Sequence, residues 1–400
     1  MKTNRYIFLL LTIINLQLSK AQEATIYLPK IENYTHGLVE IKVLIYGLND
    51  PISIGKITKD GTIHFEFPET FLKSSHEQLF DSAQNISSAL GMFVCHDKEI
   101  AEETKTTKAI EVKDLFLYKY GQRVGALVSA SNKAMLENEF ILGSKLLWVL
   151  SSDAGIFRAS CTVYENDVSG NGNLDKNNIQ NTTSYDITLK KGWNLVEQKL
   201  LKTKTLEGNR GPYQRRLMEQ KSSVNKIPTS INWYIKYWAN DAYLEMEQQL
   251  ISKTPTTTLQ YENWAPKKLG KLKRTAYQIG QTIERLPTLN NIELHFEKGP
   301  KKATVTIVDC VANKSAASLY TLMLDMASSD WKDKTKTGYR SASNIDGTRV
   351  LIDYNEAEAK TTMNFNANNR FLVKAEAVNI TPEILWNALK TLNLNLLNSK

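Results

Sequence analysis

The sequence predicts a β-sandwich followed by a smaller α+β domain. From residue 22 to residue 200, apolar residues recur at every second position in short runs separated by polar turns, which is typical of a sandwich of antiparallel strands. This rhythm breaks at residues 201–262, where we expect a connector with some helix. From residue 263 to residue 400, strand-like runs occur with two amphipathic helices, which predicts an antiparallel sheet with two helices on one face.

Residues 1–21 predict a secretory signal peptide. Two positively charged residues precede an apolar run spanning Tyr6–Leu16, and the small residues Ser19 and Ala21 occupy the positions that a signal peptidase reads. The run is shorter than the roughly 20 apolar residues that span a bilayer. We therefore expect cleavage before Gln22 and a secreted or periplasmic mature chain without a transmembrane segment.

The charge of the mature chain is modest. The formal net charge is +8, and removal of Lys2, Arg5 and Lys20 with the signal peptide leaves +5. Basic residues cluster near Arg215 and Lys271, but a nucleic-acid binder usually has a more basic domain and a recognisable module, and we find no such module. We expect no nucleic-acid partner; the basic clusters suit solvated faces or weak attraction to an acidic cell-surface polymer.

Three cysteines remain in the mature chain. Cys95 and Cys161 lie in strand-like runs of the same half of the sequence, so we predict a disulfide bond between them in an oxidising compartment. Cys310 ends the run ATVTIVDC, which indicates a buried strand. We expect its thiol to be unpaired and inert, because a reactive thiol needs an electropositive, partly exposed setting.

The strands of the first domain follow one another closely. Asp60-Gly61 between alternating segments predicts a tight hairpin, after which Ile63, Phe65 and Phe67 share one strand face. The run SSHEQLFDSAQNISSAL predicts a short helix. Further strands are predicted in LVEIKVLIYG, PISIGKI, DLFLYKYGQRVGALVSA, KLLWVLSS, GIFRASCTVYE and TSYDITLKKGWNLVEQKL.

Two features of this region carry a resemblance. The first is a strand followed by Asp60-Gly61, a second strand and Pro68. The second is the sequence LKKGWN at residues 189–194. With them the region resembles the transthyretin-like and immunoglobulin-like β modules of exported bacterial proteins. Such modules serve as spacers, binders and plug-like adaptors, so the resemblance implies a fold and leaves the function open.

The second domain combines a sheet with two helices. A hairpin is predicted around Gly299-Pro300, a helix in SAASLYTLMLDMASS, and three strands between residues 348 and 378. The last helix begins with Thr381 as N-cap and Pro382 at the first helical position. Its apolar stripe is Ile384, Leu385, Ala388, Leu389 and Leu392, and we expect Leu385, Trp386 and Leu389 to pack on Met363, Phe365, Phe371 and Val373.

The second domain is similar to a domain of uncharacterised exported bacterial proteins. In that domain a strand ends in an Arg-aromatic pair, which here is Arg370-Phe371, and a short helix follows the strand. No established catalytic motif comes with that resemblance.

The segment NDVSGNGNLDKNN is a candidate calcium loop. The oxygen-bearing residues at its first, third, fifth, seventh and ninth places are Asp167, Ser169, Asn171, Asn173 and Asp175, with Gly172 at the sharp turn. The twelfth place holds Asn178 instead of a bidentate glutamate, and the flanking runs indicate strands of a hairpin instead of helices. Since the same residue types are selected by turns, we interpret the segment chiefly as a turn. We therefore expect no cofactor, and calcium at this loop is the alternative.

An aromatic run is the second candidate site. Trp233 and Trp238, with Tyr234 and Tyr237 between them, could stack on a sugar or glycan chain. In a strand, however, Trp233 and Tyr237 would share one face and Tyr234 and Trp238 the other, so packing in the core explains the run as well, and we favour it.

Catalytic motifs are absent from the sequence. The five histidines are scattered, and the close trio of Cys95, His96 and Asp97 contains the cysteine assigned to the disulfide bond. We therefore lean towards a non-enzymatic binding or assembly component of the bacterial cell envelope, with an unknown envelope protein or polymer as partner. The alternative is a hydrolase acting on envelope polymers or glycans, because paired carboxylates of a glycosidase need not be visible in a sequence.

If the loop at Asp167–Asn178 is chiefly a turn, millimolar calcium will barely change the thermal unfolding midpoint. A ligand at a hundredfold excess over its Kd stabilises a protein by about 2.7 kcal/mol, so a strong site would be plain in a melting curve. A calcium-dependent rise in the midpoint that is lost in Asp167→Ala would contradict this interpretation.

Overall fold

The computed structural model describes residues 29–45, 48, 50–68, 77–81, 83–92, 95–165, 179–206, 211–280 and 289–397. The chain divides into two compact units, Met1–Ala239 and Asn240–Lys400, and most of its regular structure is antiparallel sheet. The predicted signal peptide lies outside the described residues. Among the helices of the described part, none is long and apolar enough to cross a membrane.

The described part of the N-terminal unit contains strands, two short α-helices and one 3-10 helix. Its helices are α1 (Glu77–Asp81), α2 (Ile86–Ala89) and the 3-10 helix Lys133–Leu136. Its strands are β1 (Val39–Val43), β2 (Ile52–Ile57), β3 (Ile63–Phe65), β4 (Gln84–Asn85), β5 (Asp97–Glu103), β6 (Lys108–Val112), β7 (Leu115–Lys119), β8 (Gln122–Ala130), β9 (Gly143–Ser151), β10 (Gly155–Glu165), β11 (Ile179–Leu189), β12 (Gly192–Leu206), β13 (Tyr213–Val224) and β14 (Asn232–Tyr237).

These strands form two sheets. One has six strands in the order β14-β8-β7-β1-β2-β3, and the other has eight in the order β4-β6-β9-β12-β13-β11-β10-β5. Although β11 and β12 are joined by a tight turn, they are not hydrogen-bonded neighbours, because β13 lies between them, antiparallel to β12 and parallel to β11. The strands predicted in the six sequence segments from LVEIKVLIYG to TSYDITLKKGWNLVEQKL are confirmed in the parts of those segments that the structure describes.

The region predicted as one short helix is interrupted. Helices α1 and α2 are separated by β4, which pairs with β6. The reason is local: the side chain of Asn85 accepts a hydrogen bond of 3.2 Å from the backbone N–H of Ser88 and so caps a new helix.

The hairpin at Asp60-Gly61 is confirmed. The Asp60 carboxylate accepts hydrogen bonds from the hydroxyls of Thr58 at 2.5 Å and Thr62 at 2.8 Å, and these bonds hold its pKa well below the usual range. Gly61 has a φ of +86°, and a Cβ there would lie 2.6 Å from the carbonyl oxygen of Ile31. A glycine is therefore required both by the backbone conformation and by the close approach of the preceding segment.

Residues 201–262, expected to form a connector, are instead divided between the two units. Residues up to Tyr237 complete β12, β13 and β14 of the N-terminal sheets. Two helices after Ala239 belong to the C-terminal unit. The alternation of apolar and polar residues that predicts a strand is weak in β12 and β13, because many of their buried or half-buried positions carry charged or polar side chains, such as Glu219 and Lys221.

The C-terminal unit contains one nine-stranded antiparallel sheet in the order β15-β16-β17-β18-β23-β22-β21-β20-β19. The strands are β15 (Lys268–Leu269), β16 (Leu272–Ile279), β17 (Asn291–Lys298), β18 (Lys301–Asp309), β19 (Trp331–Thr335), β20 (Gly338–Ile345), β21 (Thr348–Asn355), β22 (Lys360–Ala367) and β23 (Phe371–Val378). The helices are α3 (Asp241–Ile251), α4 (Thr258–Trp264), α5 (Lys314–Met326), α6 (Pro382–Leu389) and the 3-10 helix Leu394–Leu397.

The hairpin at Gly299-Pro300 and the three strands after residue 348 are confirmed. Arg370-Phe371 stands at the start of β23 and not at the end of a strand.

Helices α5 and α6 lie on opposite faces of the sheet, not on one face as expected. Helix α6 packs in one apolar cluster with Met363, Phe365, Phe371 and Val373, which confirms its predicted docking. Helix α5 packs with α3 in a second cluster that includes Val308, next to Ile307 of the first cluster. Successive residues of a strand point to opposite faces, and both faces of this sheet are apolar here, so each face needs its own helical cover.

A buried ion pair joins three segments of this unit. Arg370 donates to both oxygens of the Asp309 carboxylate at 2.8 Å, and Asp309 is fully buried. The same carboxylate accepts a 2.7 Å hydrogen bond from the backbone N–H of Thr256, and Arg370 also donates to the carbonyl of Thr254 at 2.9 Å. The link between α3 and α4 is thereby attached to the end of β18 and to the turn before β23.

The fragment 240–400 should therefore unfold cooperatively on its own, whereas the fragment 264–400 should not. The shorter fragment lacks Thr256 and also Tyr261, a fully buried member of the α6 cluster. The measurement is denaturant unfolding followed by tryptophan fluorescence and far-UV circular dichroism, and in the longer fragment Leu389→Ala should lower the free energy of unfolding by about 2 to 5 kcal/mol. Equal stability of the two fragments would show that the helices before residue 264 are dispensable.

Candidate ligand-binding cleft

A cleft of about 430 Å³ lies in the N-terminal unit and is lined by four aromatic side chains. Phe65 belongs to β3 of the six-stranded sheet, and Phe67 follows shortly after it. Trp148 and Trp193 belong to β9 and β12 of the eight-stranded sheet. The cleft is therefore formed where aromatic side chains from the two sheets converge.

The four rings contact one another directly. The ring centre of Phe67 lies 4.6 Å from that of Trp148 and 5.1 Å from that of Trp193. Phe65 lies 5.1 Å from Trp148 and 5.3 Å from Trp233, which is buried beneath the cluster. These separations are those of favourable tilted aromatic pairs, so each wall of the cleft supports the others.

Strand register explains why the rings meet. Phe65 and Phe67 are two residues apart, so they occupy the same face, as expected from the sequence. In the pairing of β9 with β12, Trp148 lies opposite Leu195, and Trp193 is two residues from Leu195. Trp148 and Trp193 are therefore diagonal neighbours on one face of the eight-stranded sheet.

A fixed turn places one lysine at the edge of the cleft. The side chain of Asn194 accepts a 2.8 Å hydrogen bond from the backbone N–H of Lys190 and donates to the carbonyls of Lys190 and Gly192 at 2.7 and 2.8 Å. Gly192 has a φ of +93°, which closes the turn between β11 and β12. This network corresponds to the LKKGWN sequence and positions Lys190 beside Trp193.

The remaining lining is polar at one side. Ser223 exchanges hydrogen bonds of 2.9 and 2.8 Å with the backbone N–H and carbonyl of Thr188, which joins the ends of β13 and β11. The lining also includes Leu189, Leu195, Val224, Asn225, Lys226 and Ile227. Among the lining residues that the structure describes there is no carboxylate and no histidine, so the charged groups at the cleft are the ammonium groups of Lys190 and Lys226.

The aromatic residues predicted as a stacking surface do not form one. Trp233 is 5% exposed and packs against Phe65, which agrees with the core-packing interpretation. Trp238 lies beyond the end of β14 and is 53% exposed, with the guanidinium of Arg123 at 5.4 Å from its ring centre. The two tryptophans are separated because one lies on the buried face of the strand and the other follows its end in solvent.

The candidate calcium loop lies outside the described residues. Its flanking strands β10 and β11 pair along their whole length, from Gly155 with Leu189 to Glu165 with Ile179, so the loop joins the strands of a hairpin, as expected. Within the described part of the chain, no group of three or more histidine, cysteine, aspartate or glutamate side chains is placed to hold a metal ion.

The close trio of Cys95, His96 and Asp97 has structural contacts. Cys95 forms the predicted disulfide bond with Cys161, with their Cα atoms 5.5 Å apart. The ring Nδ1 of His96 accepts a 3.0 Å hydrogen bond from the backbone N–H of Tyr164, and Asp97 accepts one from the Tyr164 hydroxyl, which raises the pKa of that phenol. All three residues thus fix the edge strand β5 to β10.

The sequence places Phe65 and Phe67 on one strand face, as observed, but Trp148 and Trp193 were not predicted to be site residues. A signal was present, since each tryptophan stands inside a predicted strand, in LLWVLSS and in KKGWNLV. Their proximity depends on the pairing of β9 with β12, which alternation along a single strand does not reveal.

Comparisons with known proteins find no family model, no curated protein and no solved structure that matches the chain.

The native chain should carry one thiol that is unreactive until the protein unfolds. Cys310 is fully buried, and burial raises the pKa of its thiol to about 12, so almost no thiolate exists at neutral pH. Titration of the unreduced protein with a chromogenic thiol reagent should give a signal near zero in buffer and one thiol per chain in denaturant. Three thiols in denaturant would contradict the Cys95–Cys161 bond, and fast reaction in buffer would contradict the burial of Cys310.

Proposed function

We propose that the protein is an exported, non-enzymatic binding or assembly component of the bacterial cell envelope, and that its N-terminal unit is a transthyretin-like or immunoglobulin-like β-sandwich that holds a ligand in the aromatic cleft. The observation that carries the proposal is the convergence of four aromatic side chains from two sheets around a space of about 430 Å³. Ligand sites in proteins are concave, mostly apolar and aromatic, and contain a few placed polar groups.

Export is supported by two independent features. The predicted signal peptide at residues 1–21 directs the chain out of the cytoplasm. The Cys95–Cys161 bond belongs to the oxidising compartments that such a chain reaches, because cytosolic thiols are kept reduced.

The ligand class that suits the cleft is a segment of an acidic glycan. The faces of aromatic rings carry negative potential and attract the polarised C–H groups on the flat side of a sugar ring. Lys190 and Lys226 provide positive charge for carboxylate or phosphate substituents, and Asn225 provides an amide for hydroxyl groups. Envelope polymers present these three chemical groups together.

The hydrolase alternative has a different requirement. Hydrolysis of a glycosidic bond by the usual route needs two carboxyl groups on either side of that bond. The described lining of the cleft supplies aromatic, amide, hydroxyl and ammonium groups, which are groups that bind and orient a glycan. We therefore propose binding as the activity of this site.

A direct test uses a tetrasaccharide of galacturonic acid as the acidic probe and a galactose tetrasaccharide as the neutral one. We expect the mature protein to bind the acidic probe more tightly, and Trp193→Ala to weaken binding of both by about tenfold, since about 1.4 kcal/mol of stacking corresponds to that factor. The variant carrying Lys190→Gln and Lys226→Gln should lose affinity for the acidic probe alone. Isothermal titration calorimetry measures these constants.

The matched controls separate the site from general effects. Trp238→Ala removes an exposed tryptophan outside the cleft and should bind as the unaltered protein does, and Trp193→Phe should retain part of the affinity. Release of reducing ends from the probe would favour the hydrolase. Absence of binding to both probes, or weaker binding in Trp238→Ala but not in Trp193→Ala, would overturn the proposal.

A further inference from the structure

A second concave site lies in the C-terminal unit and has a volume of about 560 Å³. Its walls are the turn between β15 and β16 at Gly270-Lys271, the turn between β17 and β18 at Gly299-Pro300, and helix α6. The groove thus lies between two hairpin turns and one helix, and it shares no residue with the aromatic cleft.

The walls of this groove are held in place by specific contacts. Gly270 has a φ of +54°, and a Cβ on it would lie 3.3 Å from the Cβ of Ala388, so the first turn packs closely on α6. Its N–H also donates to the hydroxyl of Thr391 at 3.3 Å. The side-chain amide of Asn379 donates to the carbonyl of Pro300 at 2.9 Å and fixes the second turn to the end of β23. The groove is therefore preformed.

The surface of the groove has an apolar part and a cationic part. The accessible apolar part consists of Ile384, which is 50% exposed on α6, together with Pro300 and the half-buried Ala388, whereas Leu269, Leu272 and Ile380 of the lining are buried. The cationic part consists of Lys271, Lys298 and Lys301, all exposed.

The three lysines are available to a ligand. Within the described residues none of them forms an ion pair, in contrast to the neighbouring Lys302, which pairs with Glu297 at 3.4 Å. No carboxylate belongs to the described lining of the groove. An occupant that complements this surface must combine an apolar body with negative charge.

We infer that this groove binds a free long-chain carboxylate, with its acyl chain along Ile384, Ala388 and Pro300 and its carboxylate among Lys271, Lys298 and Lys301. Burial of each methylene contributes favourably, and the ammonium groups provide charge-assisted hydrogen bonds to the head. The inference concerns a site separate from the aromatic cleft and does not depend on the function proposed for that cleft.

The lining favours an acyl chain over a peptide. A peptide would bring backbone N–H and C=O groups into the groove, and burial of such groups without hydrogen-bond partners is unfavourable. The uncharged polar side chain of the described lining is that of Asn387, and the strand ends beside both turns already pair with each other, Leu269 with Leu272 and Lys298 with Lys301. An acyl chain has no polar atoms beyond its head, so it leaves no such group unpaired.

The test titrates the mature full-length protein with dodecanoate below its micellar concentration and measures heat by calorimetry. We expect one binding site, whose affinity for dodecanoate falls as the salt concentration is raised from about 0.05 M to about 0.5 M, because the lysines are exposed and ions screen their charge. Ile384→Asp should weaken binding by about tenfold or more. The triple variant carrying Lys271→Gln, Lys298→Gln and Lys301→Gln should bind dodecanoate only as tightly as the unaltered protein binds dodecanol, which has no carboxylate.

Matched controls lie elsewhere in the same unit. Leu322→Asp alters a similarly exposed apolar residue on α5, and the pair Lys334→Gln and Lys336→Gln removes charges near β19; neither should change the affinity. Far-UV circular dichroism and the unfolding midpoint establish that Ile384→Asp is folded. The inference is overturned if dodecyltrimethylammonium binds as tightly as dodecanoate, if Ile384→Asp binds normally, or if binding is seen only with anionic phospholipid vesicles or a polyglutamate peptide.

Discussion

The C-terminal unit depends on the ion pair between Asp309 and Arg370. Both hydrogen bonds of the pair are 2.8 Å long, and the charges lie where three segments of the chain meet. Loss of either partner would leave the other charge buried without compensation, which typically costs about 3 to 5 kcal/mol. Because Thr256 shares the carboxylate, the pair also orders the approach to α4 and so determines where Tyr261 enters the apolar cluster. One interaction therefore fixes the adjoining ends of the central strands β18 and β23 and also part of the helical layer that covers the sheet.

The N-terminal unit achieves order by a different means, through contacts between aromatic rings. β3 and β14 are the two edge strands of the six-stranded sheet, yet Phe65 of one and Trp233 of the other have ring centres 5.3 Å apart, so the sheet must curl strongly. Trp148 from the second sheet completes the cluster. Rigid rings that already contact one another lose little conformational entropy when a ligand arrives, and this preorganisation suits the cleft to binding.

The sequence predicted the features that local patterns determine and missed those set by distant contacts. The limits of β10, the turn at Asp60-Gly61 and the stripe of α6 follow from alternation, turn chemistry and helical spacing, and the structure contains them. The side of the sheet covered by α5 was not predictable in this way, because its apolar stripe resembles that of α6. The aromatic cleft was missed for a related reason: Trp148 and Trp193 become neighbours only through the register of β9 with β12.

The position of β13 determines the order in which the eight-stranded sheet can be completed. This strand lies between β11 and β12 and bonds to both, so neither inner edge is paired until residues 213–224 have been added. A nascent chain that ends before Tyr213 would present two long open strand edges, the kind of surface on which chains associate with one another. Completion of this sheet therefore waits for β13, and any control of folding quality would act on the interval before β13 is inserted between its two neighbours.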